Sequence, residues 1–263
     1  MHYLFSPLSI FEFFYNAFES MRLALFPRKV ERSDLQILEK HFPYYARMNP
    51  KFKKEFERRL QYILSSRNFH PRGGLQEVTE EMEVLIGATI TMVIFGWKKV
   101  RLPHFRKILI YPNQYYSSIT RTYHKGEVNP KFGIIVLSWR AFLEGLVDED
   151  DGINLGVHEV AHALKLENQI RHNDEFNFIS ASVSQDYRAH MALEKEKMKA
   201  GEDSPFREAA LINGDEFFAV VLENFFERPE VFSEQRPEFF KTMTLLMQQN
   251  PLVVSPRVKV EKA

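Results

Sequence analysis

Two histidines four residues apart, with a glutamate directly after the first, are the residues best placed to do chemistry. They are His158, Glu159 and His162, in the sequence HEVAH. On a helix both imidazoles lie on one face and can bind a single Zn²⁺, which accepts nitrogen ligands in a tetrahedral site. Glu159 then lies near the open side of the metal, where it can accept a proton from a metal-bound water whose pKa the zinc has lowered. The spacing is typical of zinc hydrolases, most often peptidases.

The residues around the motif bear on whether it binds a metal. A short motif can occur by chance, and two partly buried histidines can belong to a helix that binds nothing. Val157, Val160, Ala161 and Leu164 surround the histidines and are all small or apolar. They indicate a helix that packs into the core rather than one with a solvated face, which favours the metal site.

A candidate third ligand, Glu216, stands at the beginning of an apolar helical stretch. Phe217, Val220 and Val221 follow it with the spacing of one buried helix face. A carboxylate in the first turn of a buried helix is costly unless it binds a cation or a hydrogen-bond donor. The helix dipole, however, also favours an ordinary glutamate there. The residue pattern alone leaves both interpretations open.

Several further segments have the character of a known family when they are taken together. They are Gly73-Gly74-Leu75, Thr79–Met82, Ile108–Pro112, Val136–Trp139, Asp151–Asn154 and Glu216–Ala219. The combination, over about residues 42–252, resembles the Mlc titration factor A family of zinc peptidases, which is related to the catalytic domain of anthrax lethal factor. The resemblance implies one zinc ion per chain, held by His158, His162 and Glu216, with Glu159 as the general base.

One position departs from the pattern of that family. Its members usually have a tyrosine seven residues before the ligand glutamate, where it can stabilise the tetrahedral oxyanion; this sequence has Ala209. Losing an oxyanion donor can lower the rate by about 10²–10³. Tyr187 and His190 are candidate substitutes, although each also fits an amphipathic helix as an ordinary structural residue.

Three other polar residues are candidates for supporting roles. Glu223 could accept a hydrogen bond from a ligand histidine and so orient the imidazole, and a surface salt bridge would explain it equally well. Asn154, one turn before His158, is a similar candidate. Lys165 occupies a position where the resembled family often has an acidic residue, so no supporting carboxylate is expected there.

Composition limits the classes of partner and the compartment. The 35 basic and 35 acidic residues cancel, so the total charge indicates neither nucleic acid nor an anionic membrane as a partner. The chain has no cysteine, which excludes disulfides and is compatible with the cytoplasm. No segment reaches the roughly 18–20 apolar residues of a transmembrane span. The expected partner is a peptide or protein substrate.

The beginning of the chain predicts a helical arm. Apolar residues recur every three or four positions from Phe5 to Leu25. We expect residues 1–40 to form an N-terminal arm packed on the core, with an interfacial membrane helix as the alternative. There is no basic start or cleavage site, so a secretory signal is not expected. Residues 41–252 then form the zinc peptidase domain and residues 253–263 a C-terminal tail.

The remaining patterns predict an α+β fold, mainly helical and zincin-like, with a small β-sheet beside the HExxH helix. Helical patterns cover Lys51–Ser66 and Thr79–Gly96, and β-branched strand patterns cover Lys107–Tyr111 and Gly133–Leu137. The connection from 113 to 131 could add a hairpin. We expect an edge strand within 108–137 to align the substrate backbone. From Asp151 onward the chain is expected to be helical apart from loops.

Two functions fit these features. The first is a zinc-dependent metallopeptidase in which a metal-activated water attacks the peptide bond; the choice between aminopeptidase and endopeptidase stays open. The second is a regulatory binding protein with weak or no turnover. The founding member of the resembled family is named for sequestering a transcriptional repressor, so the partner would then be a transcriptional regulator. The HExxH motif and Glu216 favour the first function, and Ala209 favours the second slightly.

Overall fold

A computed structural model describes residues 28–117, 121–170 and 180–257, together with Met21. Its α-helices are α1 (Arg32–His41), α2 (Pro43–Ala46), α3 (Pro50–Ser66), α4 (Glu80–Ile94), α5 (Trp139–Val147), α6 (Leu155–Ile170), α7 (Ala181–Lys199), α8 (Gly214–Glu227), α9 (Pro229–Gln235), α10 (Pro237–Met247) and α11 (Pro251–Val254). A short 3-10 helix, Glu208–Leu211, precedes α8. The strands are β1 (Asn68–Pro71), β2 (Lys107–Tyr111), β3 (Tyr115–Ser117), β4 (Thr122–His124), β5 (Gly126–Asn129) and β6 (Ile134–Ser138). The predicted mainly helical α+β class is confirmed.

A small mixed sheet covers one side of the helices. Its strand order is β1-β2-β6-β5, with β1, β2 and β6 parallel and β5 antiparallel to β6. The register pairs Ile108 with Ile135 and Ile110 with Leu137, and all four side chains are buried. The two predicted strands are therefore present. Strands β3 and β4 form a separate antiparallel hairpin, within the connection where a hairpin was expected.

Strand β1 corrects the sequence interpretation. Strand patterns were found in the sequence only at Lys107–Tyr111 and Gly133–Leu137. Asn68–Pro71 nevertheless pairs in parallel with β2, and a turn with left-handed Gly73 and Gly74 follows. The proline is compatible with pairing because it ends an edge strand, where a missing N–H removes no bond from the interior of the sheet.

Helix α4 lies at the centre of the helical layer. Almost all of its side chains after the first turn are buried, and the helix packs against α1, α3 and α6. Its first N–H groups are capped by Thr79, whose hydroxyl accepts a hydrogen bond from the Met82 amide at 3.3 Å. A helix that is apolar all round must be buried. The helix predicted over Thr79–Gly96 is therefore present, although it begins at Glu80 and ends at Ile94.

Helix α6, which carries the HExxH motif, lies between α4 and α8 and beneath β5 and β6. Val157, Ala161 and Leu164 are fully buried and face these neighbours. Gly156 allows the closest approach, because a β-carbon there would lie 2.6 Å from the Phe142 ring and 3.1 Å from the Thr89 methyl group. Small residues on α6 therefore set how deep the motif sits.

The predicted division of the chain stays a prediction. Most of the 1–40 arm lies outside the described residues; its described part, α1, packs against α4 and buries Leu38. At the other end Val254 and Ser255 are buried, and Arg257 bonds the Glu227 carbonyl. Residues 253–257 thus pack on the domain. Within the described ranges, no helix is long and apolar enough to cross a membrane.

Gly156→Ala should destabilise the protein, because the added methyl group meets the Phe142 ring. Overpacking of this kind costs about 1–3 kcal/mol. Gly214→Ala is the matched control: it is also a helical glycine, but its nearest neighbour would be the Met191 sulfur at 3.9 Å. The free energy of unfolding in urea should fall for Gly156→Ala and stay the same or rise by up to ~1 kcal/mol for Gly214→Ala. Equal values for the two variants would contradict the packing described here.

Candidate metal centre

Three side chains converge on one point between α6 and α8. The Nε2 atoms of His158 and His162 are 3.1 Å apart, and the Glu216 carboxylate oxygens lie 3.4 Å from the first and 3.3 Å from the second. In a tetrahedral zinc site with bonds of roughly 2.0–2.1 Å, neighbouring ligand atoms are separated by about 3.3 Å. The spacing and the donor types, two imidazoles and one carboxylate, therefore fit a zinc ion.

Glu216 reaches the histidines because of how α8 begins. The Asn213 side chain caps this helix, and its Oδ1 accepts hydrogen bonds from the amides of Asp215 and Glu216 at 2.7 and 2.9 Å. Phe217 and the residues after it are buried, which fixes the helix against α6. Hydrogen bonds from His158 and His162 hold the pKa of Glu216 well below its ordinary value. The structure thus turns this first-turn glutamate toward the motif.

Glu223 supports His158 from behind. It is almost completely buried, and its Oε1 lies 2.6 Å from Nδ1 of His158. Since a carboxylate can only accept, Nδ1 carries the hydrogen of this bond and the imidazole is held with Nε2 toward His162 and Glu216. Arg207, which the sequence interpretation missed, donates from Nη2 to both Glu223 oxygens at 2.8 and 2.7 Å.

The pKa of His158 reflects these neighbours. Burial acts to lower it, but the hydrogen bonds to Glu216 and Glu223 outweigh burial and raise the pKa to about 10. Without a metal, the proton on His158 therefore occupies the place that a cation would take. A metal must displace this proton before Nε2 can bind it.

Glu159 is buried beside the histidines. Burial raises its pKa to about 7, while His158 and His162 oppose the shift. Its carboxylate lies directly against Gly126 of β5, where any β-carbon would collide with Oε1. A glycine at this point of the strand is what allows Glu159 to sit under the sheet edge.

Two cavities meet at Glu159 and form a cleft along β5. One, of about 430 Å³, is lined by Glu127, His162 and Glu216, among others. The other, of about 500 Å³, is lined by Arg207 and Glu223. Both contain Gly126, His158 and Glu159. A larger cavity of about 1000 Å³, near α1 and α3, includes none of these side chains.

Two polar contacts lie at the border of the cleft. The Tyr115 hydroxyl donates to Glu127 at 3.0 Å, and burial raises the pKa of this tyrosine. Lys165, a basic residue at a position where the resembled family often has an acidic one, pairs with Asp215 at the rim of the cleft. Lys165 lies on the motif helix three residues after His162, whereas only the position of the hairpin and of α8 brings Tyr115 and Asp215 near the motif.

Tyr187 and His190 lie outside the cleft. The Tyr187 ring packs edge-on against Phe217 and Phe218, and its hydroxyl is buried without a hydrogen-bond partner in the described part of the chain. His190 stacks on Phe239 at 5.1 Å between ring centres. Neither lines the cavities at Glu159. Aromatic packing turns both into the α7–α10 layer, which agrees with the interpretation of each as an ordinary structural residue.

Asn154, the other candidate for a supporting role, acts on the backbone at the start of α6. Its Oδ1 accepts from the Val157 amide at 2.9 Å and so caps α6. Its Nδ2 donates to the Gly145 carbonyl and to Glu227, each at 2.9 Å. The residue fixes the start of the motif helix rather than the His158 imidazole.

The geometry has the residue types of a metal-dependent hydrolase, and comparison with known proteins agrees with that class. The chain belongs to the glucose-regulated metallo-peptidase M90 family, whose model matches residues 18–248. It is therefore a metallopeptidase by family.

Curated relatives extend over most of the chain. Mlc titration factor A of Pectobacterium atrosepticum is 26% identical over 199 residues, which cover 68% of this chain and 73% of that protein. Mlc titration factor A of Serratia proteamaculans is 26% identical over 220 residues, 76% of this chain and 81% of the relative. An uncharacterized protein of Synechocystis is 24% identical over 248 residues, 87% and 88% of the two chains. The predicted resemblance to the Mlc titration factor A family is confirmed.

Zinc binding should release protons near neutral pH, because His158 is protonated in the metal-free protein. With a pKa of about 10, the proton is present at pH 7, and lowering the pH strengthens its competition with zinc. The apparent affinity should therefore rise by up to about tenfold per pH unit between pH 7 and 9.

Titration calorimetry in two buffers of different ionisation enthalpy counts these protons. Wild type should release about one proton from His158 per zinc at pH 8. In Glu223→Gln one of the two carboxylates that raise the pKa of His158 is lost while Glu216 remains, so the pKa should fall and fewer protons should be released per zinc than by wild type. The same proton count in both proteins would show that Glu223 does not hold the proton on His158.

Proposed function

We propose that the protein is a zinc-dependent peptidase of the zincin type, with His158, His162 and Glu216 as the zinc ligands and Glu159 as the general base. The convergence of the three donor atoms at the separations of a tetrahedral zinc site is the observation that supports this most. The membership in a metallo-peptidase family agrees with it. Two histidines with one carboxylate, leaving a fourth position open, is a donor set of catalytic zinc rather than of structural zinc.

Zinc in this site supplies an acidified water and a Lewis acid for the peptide carbonyl. The chain supplies the proton transfers. Glu159 accepts a proton from the attacking water and passes it to the departing amine nitrogen. A carboxyl group suits this exchange when its pKa lies near the working pH, and burial has raised that of Glu159 to about 7.

Strand β5 is the element we assign to substrate alignment. One of its sides pairs with β6, and no strand in the described ranges pairs with the other. A peptide that adds to this side as a further strand passes Gly126 and hence Glu159. The substrate is then an extended peptide or an unfolded segment of a protein. We keep the cytoplasm as the proposed compartment, since the chain has no cysteine that an oxidising environment would pair.

A second candidate function is the binding of a transcriptional regulator. Relatives carry the name Mlc titration factor A, and the position of the family tyrosine is occupied here by Ala209. In that case the cleft binds its partner and hydrolyses it slowly or not at all. The two functions differ in whether the protein hydrolyses peptides and, if it does, in whether this hydrolysis depends on Glu159.

Glu159→Gln should retain zinc and the fold but lose hydrolysis, because glutamine cannot accept the proton of the attacking water. A fall in kcat of about 10²–10⁴ is expected. Cleavage of a peptide library should be followed by mass spectrometry, which also shows whether residues leave singly from the amino end, as with an aminopeptidase, or the chain is cut internally.

Glu196→Gln is the matched control, since this glutamate is exposed on α7 and lines neither cavity of the cleft. It should cleave like wild type. Equal rates for Glu159→Gln and wild type would remove Glu159 from the reaction. No hydrolysis by zinc-loaded wild type would favour the binding function.

A further inference from the structure

The cleft lacks the tyrosine donor, so a hydrogen bond that assists the zinc in stabilising the negative charge during peptide hydrolysis needs a different group. Ala209 stands at the position of the family tyrosine, and its side chain carries no donor. Tyr187 and His190 are packed in an aromatic layer away from Glu159. The donor must come from a residue that lines the two cavities along β5.

Most donors around the cleft are already bonded within the protein. The Tyr115 hydroxyl donates to Glu127, and the Lys165 ammonium pairs with Asp215. His124 shares a hydrogen bond with the Thr122 hydroxyl at 2.8 Å. A donor held in this way would have to give up its partner before it could reach a substrate.

Arg207 has a donor to spare. Its Nη2 serves both oxygens of Glu223, and its Nε is buried. Its Nη1 is accessible to solvent and has no protein partner in the part of the chain that the structure describes. Arg207 lines the 500 Å³ cavity together with His158 and Glu159. Arg207 thus brings a guanidinium with a free donor to the same cavity as Glu159.

The guanidinium is also held in place before any substrate arrives. It is planar and bonds both oxygens of Glu223, which is itself fixed by the His158 imidazole at 2.6 Å. Donors fixed in advance stabilise developing charge without reorganisation, and a guanidinium loses little freedom on forming a further bond. Lys125, the other cation that lines this cavity, is exposed on a flexible stem with no comparable anchor.

We propose that Arg207 contacts the substrate, with Nη1 donating a hydrogen bond to the carbonyl oxygen of the peptide bond that is cleaved. This inference rests on the proposed peptidase function. As the water oxygen bonds to the carbonyl carbon, the π electron pair of the C=O bond moves onto the carbonyl oxygen, and a proton of the water goes to Glu159. When the C=O double bond re-forms, the C–N bond breaks and the amine nitrogen leaves with the proton that Glu159 returns. Arg207 stabilises the oxygen while it carries the charge.

Two variants separate contact with the substrate from support of Glu223. Arg207→Met removes both roles. Arg207→Lys keeps a cation for Glu223 but has a single ammonium, so it cannot hold the carboxylate and offer the second donor in the same geometry. Both variants should lower kcat by about 10²–10³ with little change in KM, the size expected for one lost oxyanion donor. Arg207→Lys should keep its full zinc content.

A second readout does not depend on turnover. A peptide phosphonate has the tetrahedral shape and charge of the reacting group, whereas a peptide with a reduced, non-cleavable bond has neither. In the Glu159→Gln background, Arg207→Lys should weaken phosphonate binding by the same factor as kcat and leave binding of the reduced peptide unchanged. Ala209→Tyr, added to Arg207→Met, should recover at least tenfold of the lost affinity.

The matched control is Arg236→Met, because Arg236 also pairs with a buried glutamate, Glu194, but outside the cleft. It should leave kcat and phosphonate binding at wild-type values. The inference is overturned if Arg207→Lys behaves like wild type, if Arg207→Met acts only through lost zinc, or if Lys125→Met causes the loss instead. Zinc-loaded wild type that binds the phosphonate but cleaves no peptide would contradict the proposed function and still leave the phosphonate comparison to decide the role of Arg207.

Discussion

The site depends on charged side chains gathered where water is scarce. His158, Glu216, Glu223 and Glu159 lie within one partly buried space between α6 and α8, and Glu223 is almost fully buried. Burying carboxylates is costly unless cations or donors compensate them. The proton on His158 and the guanidinium of Arg207 do this in the metal-free chain. A divalent cation at the meeting point of Nε2 atoms and carboxylate would do it more completely, which couples metal binding to the stability of this part of the fold.

The surrounding structure keeps those charges together. Helix α4 supports α6 from within the core, and Asn154 fixes where α6 begins. Strand β5 then closes the space above Glu159 and touches it through Gly126. No strand in the described ranges pairs with the other side of β5, so under the proposed function the element that buries Glu159 also aligns a peptide beside it. A single edge of the sheet thus accounts for the burial of Glu159 and, in the proposed function, for substrate access.

Local patterns predicted the parts of the site that lie within one element. The i, i+4 histidines and their apolar flanks placed the motif on a buried helix, and the strands β2 and β6 followed from short β-branched runs. Glu216 lies 54 residues beyond His162 (216 − 162), so the pattern of its own helix left it open and the family resemblance was needed to connect it. Spacing within an element carries no information on which distant elements meet.

The residues that were missed or assigned another role owe their positions to tertiary contacts. Arg207 joins Glu223 because a 3-10 turn leads into α8, and nothing in its sequence neighbourhood announces this. Strand β1 escaped prediction because Pro71 is unusual in a strand, and it is tolerated only at an edge. Tyr187 and His190 had the right chemistry, but aromatic packing against Phe218 and Phe239 turns them away from the cleft. Burial decided these cases more than residue type.

The most direct test of the central claim is the metal content of the purified protein and of two ligand variants. Elemental analysis after dialysis against a weak chelator should give one zinc per chain for wild type. His158→Ala and Glu216→Ala should each contain less than about a tenth of that, since two remaining ligands bind zinc far more weakly than three. Stoichiometric zinc in both variants would contradict the assignment of the site between α6 and α8.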